Sequence, residues 1–121
     1  MIDKWQAIHS IWSSFGIPAY DETDIPDDAV MPYITYSAAI SSFEHPFPLT
    51  GSVWYYSRSW EAISKKVDEI ASYLRGYRVI KIDGGYLYIN QGTPFAQRMS
   101  DENATVRRIY VIIDAEFLTA D

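Results

Sequence analysis

A change of period between Ser52 and Gly76 constrains this chain more than any other stretch. Ser52-Val-Trp-Tyr-Tyr-Ser57 alternates Val53, Tyr55 and Ser57 with Trp54, Tyr56 and Arg58, as a half-buried strand does. Apolar residues then recur at Trp60, Ile63, Val67, Ile70, Ala71 and Leu74, the spacing of an amphipathic helix. Ser59 is placed to cap that helix with Glu61 in its first turn, and Arg75 followed by Gly76 marks its stop. A strand that runs straight into a helix with one apolar face predicts a layered α+β domain, with the other segments packed around this unit.

Upstream, Trp5, Ile8, Trp12 and Phe15 recur at helical spacing with Ile11 beside them, so residues 3–15 are expected to form a first helix, capped by Asp3 and ended by Gly16. Asp21-Glu-Thr-Asp-Ile-Pro-Asp-Asp28 then packs five acids and a proline into eight positions and cannot form a core. Three readings stay open for Asp21, Asp24, Asp27 and Asp28. They form a solvated loop, or a calcium-type oxygen cage that lacks the glycine turn and terminal glutamate of an EF-hand, or the lining of a hole if the protein forms a ring. Tyr33-Ile-Thr-Tyr-Ser-Ala-Ala-Ile40 alternates as a strand, and the small side chains on one face are expected to lie under a helix. Phe43-Glu-His-Pro-Phe-Pro48 interrupts the pattern with prolines, so the connection to the next strand is longer than a tight hairpin.

Beyond the central helix, residues 77–83 and 86–90 flank Gly84-Gly85, a strong hairpin signal because glycine adopts the positive φ that primed turns require. Gln91-Gly-Thr-Pro94 is expected to turn, 95–99 to add a short strand, and Ser100-Asp-Glu-Asn-Ala104 to turn again. The last strand covers about 105–118, with Ile109, Val111, Ile113, Ala115 and Phe117 on an apolar face and Arg108, Tyr110, Ile112, Asp114 and Glu116 on an amphipathic one. Residues 1–121 are therefore expected to form one α+β domain. It has a mainly antiparallel β-sheet, two amphipathic helices packed on one face and a projecting β-hairpin.

A chain of 121 residues buries roughly two-thirds of the surface it exposes when unfolded, enough for a core without covalent staples. The absence of cysteine removes disulfides, thiolate metal sites and a cysteine nucleophile. A net charge of -6 argues against holding nucleic acid or an anionic membrane by broad neutralisation, although Arg107-Arg108 and Lys65-Lys66 leave room for a local basic patch. No apolar run approaches the ~20 residues of a membrane span, and the start of the chain lacks a basic-then-apolar signal, so cytoplasmic synthesis is expected. His9 has no second ligand at metal spacing, His45 stands alone between aromatic residues and prolines, and no serine occupies a Gly-x-Ser-x-Gly elbow. No catalytic, cofactor or metal site is expected. Ten tyrosines are more than a core of this size hides, which assigns a share of them to contact surfaces.

The first helix ending at Gly16-Ile-Pro18, the Met31-Pro-Tyr-Ile-Thr-Tyr36 strand and Val53-Trp-Tyr-Tyr-Ser-Arg-Ser-Trp60 leading into a helix carry a resemblance, completed by Gly84-Gly85 and the closing Arg107-Arg-Ile-Tyr-Val-Ile-Ile-Asp-Ala-Glu-Phe117 strand. In this order, over nearly the whole chain, they resemble the tail terminator (tail completion, tail-to-head joining) proteins of long-tailed phages and prophages. The resemblance implies a non-catalytic virion protein of the head-tail junction, without cofactor or membrane. It implies a ring, usually hexameric, that caps the finished tail tube, stops its polymerisation and presents a surface to the head connector, with DNA only as passing cargo. On this reading Phe43, His45, Phe47, Tyr86 and Tyr88 are candidate subunit or tube contacts, and Asp21, Asp24, Asp27 and Asp28 are candidate lumen-facing acids. Another neck or minor tail component of the same fold and a small non-phage bacterial binding domain are the alternatives.

Overall fold

Asp3 starts the first helix through a reciprocal cap: its carboxylate accepts the Gln6 N–H at 2.8 Å, and the Gln6 side chain accepts the Asp3 N–H at 3.0 Å. The structure is a computed structural model in which residues 2–100 and 102–119 are described; Asp101, within the turn expected over 100–104, lies outside them. Helix α1 (Lys4–Ser13) buries Ala7, Ile8, Ile11 and Trp12, and Phe15 continues that stripe past its end. Trp5, expected in the same stripe, is instead 52% exposed; its ring meets Phe43 edge-on at 5.5 Å, over the loop rather than in the core.

Helix α2 (Glu61–Tyr73) begins one residue later than Ser59 alone would place it. Trp60 occupies the N-cap position without a side-chain cap, and the Ser59 hydroxyl accepts the Glu61 N–H at 3.0 Å. The helix buries Ile63, Val67 and Ile70, with Leu74 at its C-cap, and the chain reverses at Gly76 with φ +76°.

Six strands follow and surround these helices in the chain: β1 (Ala19–Asp21), β2 (Tyr33–Tyr36), β3 (Phe47–Tyr56), β4 (Arg78–Ile82), β5 (Gly85–Met99) and β6 (Val106–Thr119). They form one sheet in the order β1-β2-β3-β6-β5-β4, antiparallel except for the β1–β2 pair. The α+β architecture matches the sequence reading, and both helices share a single core with Leu49, Val53, Ile109, Val111 and Ile113 on one face of the sheet.

Four strand boundaries differ from expectation, each for a structural reason. The parallel strand β1 is held by β2 through the Ile34 N–H to the Pro18 carbonyl at 2.8 Å and the Glu22 N–H to the Tyr36 carbonyl at 2.9 Å, so the acidic segment begins inside the sheet. Strand β2 stops at Tyr36 rather than Ile40. Its small-residue face is not under a helix; Thr35 lies beside Trp54, away from the core. Strand β3 starts early, at Phe47. There β2 has ended and β3 pairs with β6 alone, so Pro48, without an N–H, sits opposite Asp114 at no cost in ladder bonds on the other side. Strand β5 runs through the expected turn at 91–94, which the sheet absorbs as a bulge between Gln91 and Ala96.

The hairpin turn forms at Asp83-Gly84, with φ +82° at Gly84. It does not stand off the domain. Strand β5 pairs on its other side with β6 from Gly85 opposite Thr119 to Gln91 opposite Ile113, which makes β4 the edge of the sheet.

Trp12, fully buried, lies against Gly51 so closely that a Cβ there would stand 3.0 Å from the indole ring and 3.2 Å from the Thr35 carbonyl. Trp12→Ala is expected to destabilise the fold by about 3–5 kcal/mol, and Gly51→Ala by about 1–3 kcal/mol through overpacking. Urea unfolding measures both; a neutral Gly51→Ala would show that α1 does not rest on β3 at this point.

Candidate functional site

The face of the sheet turned away from the helices carries the side chains that the core does not use. Register places Tyr33, Trp54 and Arg108 in one row across β2, β3 and β6, and Thr35, Ser52 and Tyr110 in the next. Trp54 Nε1 donates to Thr35 Oγ1 at 2.9 Å, and Arg108 Nε donates to Ser52 Oγ at 2.9 Å. The Arg108 guanidinium also lies 4.9 Å from the Trp54 ring centroid. Thr35 and Ser52 are only 8% and 3% exposed, so two buried hydroxyls fix an indole and a guanidinium at the floor of a cleft of about 370 Å³. Glu22 and Ile25 from the acidic loop, with Tyr33 and Tyr110, form its walls. Tryptophan, tyrosine and arginine are the residues that dominate binding at protein interfaces. Sequence reasoning had Trp54 on an aromatic strand and Arg108 and Tyr110 on an amphipathic face, but it did not join them.

At the other end of the same face, Val79, Tyr88 and Glu116 form one cross-strand row and Lys81, Tyr86 and Leu118 another. Tyr77 stacks on Tyr88 with centroids 5.0 Å apart, and Tyr77, Val79, Tyr86 and Leu118 are exposed. Tyr86 and Tyr88, named from sequence, therefore belong to an exposed aromatic patch that also holds Tyr77, Val79 and Leu118.

Phe43, His45 and Phe47 lie elsewhere. Phe47 is 6% exposed and packs in the core opposite Ala115, which removes it from any contact surface of the folded chain. Phe43 is half-buried between Trp5 and Phe47, beside Lys4, whose Nζ lies 5.2 Å from its ring and 4.3 Å from that of Phe117. His45 is exposed in the same loop. Phe43 and Glu44 line a groove with Lys4, Phe117, Leu118 and Thr119, so the loop borders the end of β6 where Leu118 pairs with Tyr86.

The acids divide as well. Asp21 ends β1, and its carboxylate accepts the Thr23 N–H at 2.9 Å and the Thr23 hydroxyl at 2.7 Å. Those bonds, the backbone one first, hold its pKa below the ordinary carboxylate value. Asp24, Asp27 and Asp28 are exposed in the loop that follows. Among the described residues, no group of three or more His, Cys, Asp or Glu is placed to hold a metal ion. His9 is engaged with Tyr36, its Nδ1 lying 2.8 Å from the phenol oxygen. Burial, and then the charge of Asp21, raises the Tyr36 pKa above its ordinary value.

A third group surrounds Trp60. The Arg98 guanidinium lies 4.7 Å and that of Arg107 5.1 Å from its ring centroid, and Arg107 Nη2 donates to the Arg58 carbonyl at 2.7 Å. No helix among the described residues is long and apolar enough to cross a membrane.

No protein-family model matches this chain, and no curated protein does. Its fold is similar to that of a chain in the virion of a native gene transfer agent (GTA) particle, with a TM-score of 0.56 at 14% sequence identity, over 89% of this chain and 84% of that one. At that identity the likeness is one of fold.

The depressed pKa of Asp21 means that its Thr23 bonds add stability above the ordinary carboxylate pKa, and that this contribution is lost as pH falls through the folded value. Thr23→Val removes the hydroxyl and keeps the N–H. The Asp21 pKa, followed by NMR titration, should rise part of the way toward its ordinary value; an unchanged titration would show that the hydroxyl bond is not made in solution.

Proposed function

We propose that this chain is a structural component of a phage or prophage virion, a tail terminator that assembles as a ring, caps the tail tube and meets the head connector. The observation that carries the reading is the division of the sheet. One face is sealed by two helices, while the other presents Trp54, Arg108, Tyr110, Tyr77 and Tyr86 on a rigid platform. Such a surface suits contact between large, preformed partners. The shared fold with a virion chain supports the same reading, as does the order of motifs along the sequence. The role is proposed as non-catalytic, with assembly through surfaces rather than chemistry, and DNA passes the ring without being held.

Purified tail tubes incubated with the protein test this directly. Electron micrographs should show a ring at one end of each tube, and tube subunits added afterwards should not extend that end. Tubes that bind no protein and continue to elongate would remove the terminator reading. Binding to heads rather than tubes would transfer the proposal to another neck component of the same fold.

A further inference from the structure

The two ion pairs among the described residues, Lys65–Glu61 at 3.4 Å and Lys66–Glu69 at 3.1 Å, are both internal to α2. Two exposed charged regions take no part in them. At one edge of the sheet, β1 leads into the exposed acids Glu22, Asp24, Asp27 and Asp28. Toward the opposite edge, β4 covers β5 only over Gly85–Ile89, so from Ala96 to Met99 the outer side of β5 has no strand partner. Arg98 stands on that open stretch, Arg98 and Arg107 both lie against the Trp60 ring, and Arg107 holds the backbone carbonyl of Arg58, an exposed residue just past the end of β3. Arg107 Nε is buried there without an acceptor. A groove of about 190 Å³ runs between α2 and this edge, lined by Ser64, Val67, Asp68, Ala96, Arg98 and Ile109.

We propose that the Arg58, Arg98 and Arg107 edge of one molecule docks the β1 edge and the 22–28 loop of a second copy of this chain, head to tail. The inference rests on the ring reading and names its seam. The acidic loop leaves the β1 edge, whereas Arg98 stands on the open stretch of β5 with Arg107 and Arg58 at the ends of β6 and β3. No ion pair among the described residues joins the two regions, so they are left to satisfy each other between copies. A contact between two different surfaces of identical chains repeats, and it closes into a ring when the rotation allows. An unpaired strand edge is a template for another chain, and arginine stacked on tryptophan is the composition of an interface hot spot. A nucleic-acid phosphate is the poorer occupant, because the whole chain carries -6 and the acids lie on the same molecule. The seam also places Asp24, Asp27 and Asp28 against a neighbour instead of around the hole.

The test uses two full-length variants changed only at exposed positions, Arg58→Glu with Arg98→Glu, and Asp24→Lys with Asp27→Lys and Asp28→Lys. Sedimentation velocity over a concentration series at low and high salt should show assembly of the wild type that salt weakens, and loss of the assembled species in each variant alone. An equimolar mixture should assemble again with both chains present, since every seam then joins opposite charges; a variant that had failed to fold would not be rescued. A wild type that stays monomeric throughout, variants that assemble unaided, or a mixture that stays dissociated would each overturn the seam. So would wild-type binding to duplex DNA through these arginines without self-association. Tubes capped by charge-reversed protein would remove the seam and leave the terminator reading intact, whereas mixed rings that ignore tubes would do the reverse.

Discussion

The contact of Trp12 with Gly51 fixes how the rest of the molecule is layered. A fully buried indole in α1 lies on a β3 position that has no side chain. Helix α1, which packs over β1, β2 and β4, therefore reaches the middle of the sheet through this one ring, while α2 packs over β3 and β6. The second helix is tied to the first at the same level. Phe15 meets Tyr73 edge-on at 5.3 Å, and Lys66 Nζ donates to the Phe15 carbonyl at 2.6 Å, closing the end of α1 with a charged donor from α2. Two short helices thus act as one lid over a sheet of six strands.

Sealing one face decides what the other can be. Strands that bury one row of side chains under the lid must send the alternate row outward, and in this chain those alternates include Tyr33, Trp54, Tyr110 and Tyr88. Buried hydroxyls at Thr35 and Ser52 then hold Trp54 and Arg108 in place, so the outer face is ordered before any partner arrives. The edges differ from the face in kind, since they carry charge and unpaired backbone rather than aromatic surface. The proposed ring would use both kinds of surface, one between copies and one toward what the ring meets.

Much of the fold was legible in the sequence where one element carried its own signal. The alternation of β6 is unbroken from Ile109 to Phe117 because the strand lies under the helices along its length, and the stripe of α2 is complete for the same reason. Asp3 and Gly84 announce a cap and a turn through local chemistry alone. The elements that depend on partners were not legible. Ala19–Asp21 is too short to show a period and is a strand only because β2 accepts it. Gly92 and Pro94 read as a turn, yet the neighbouring β6 carries β5 across them. The cleft was hidden for a related reason: Thr35 and Trp54 are 19 residues apart and Ser52 and Arg108 are 56 apart, and only register brings them together. Phe47 was misplaced because an aromatic residue between prolines looks exposed until the strand it starts is paired.

The central claim is that the aromatic side chains left on the helix-free face are there for contact between chains. Hydroxyl-radical footprinting of the protein, free and assembled on tail tubes, tests it most directly because tyrosine and tryptophan report residue by residue. The account predicts that Tyr77, Tyr86, Trp54 or Tyr110 lose reactivity on assembly, while Trp12, already buried, stays unreactive in both states. Equal reactivity of all four outward residues in the free and assembled protein would contradict it.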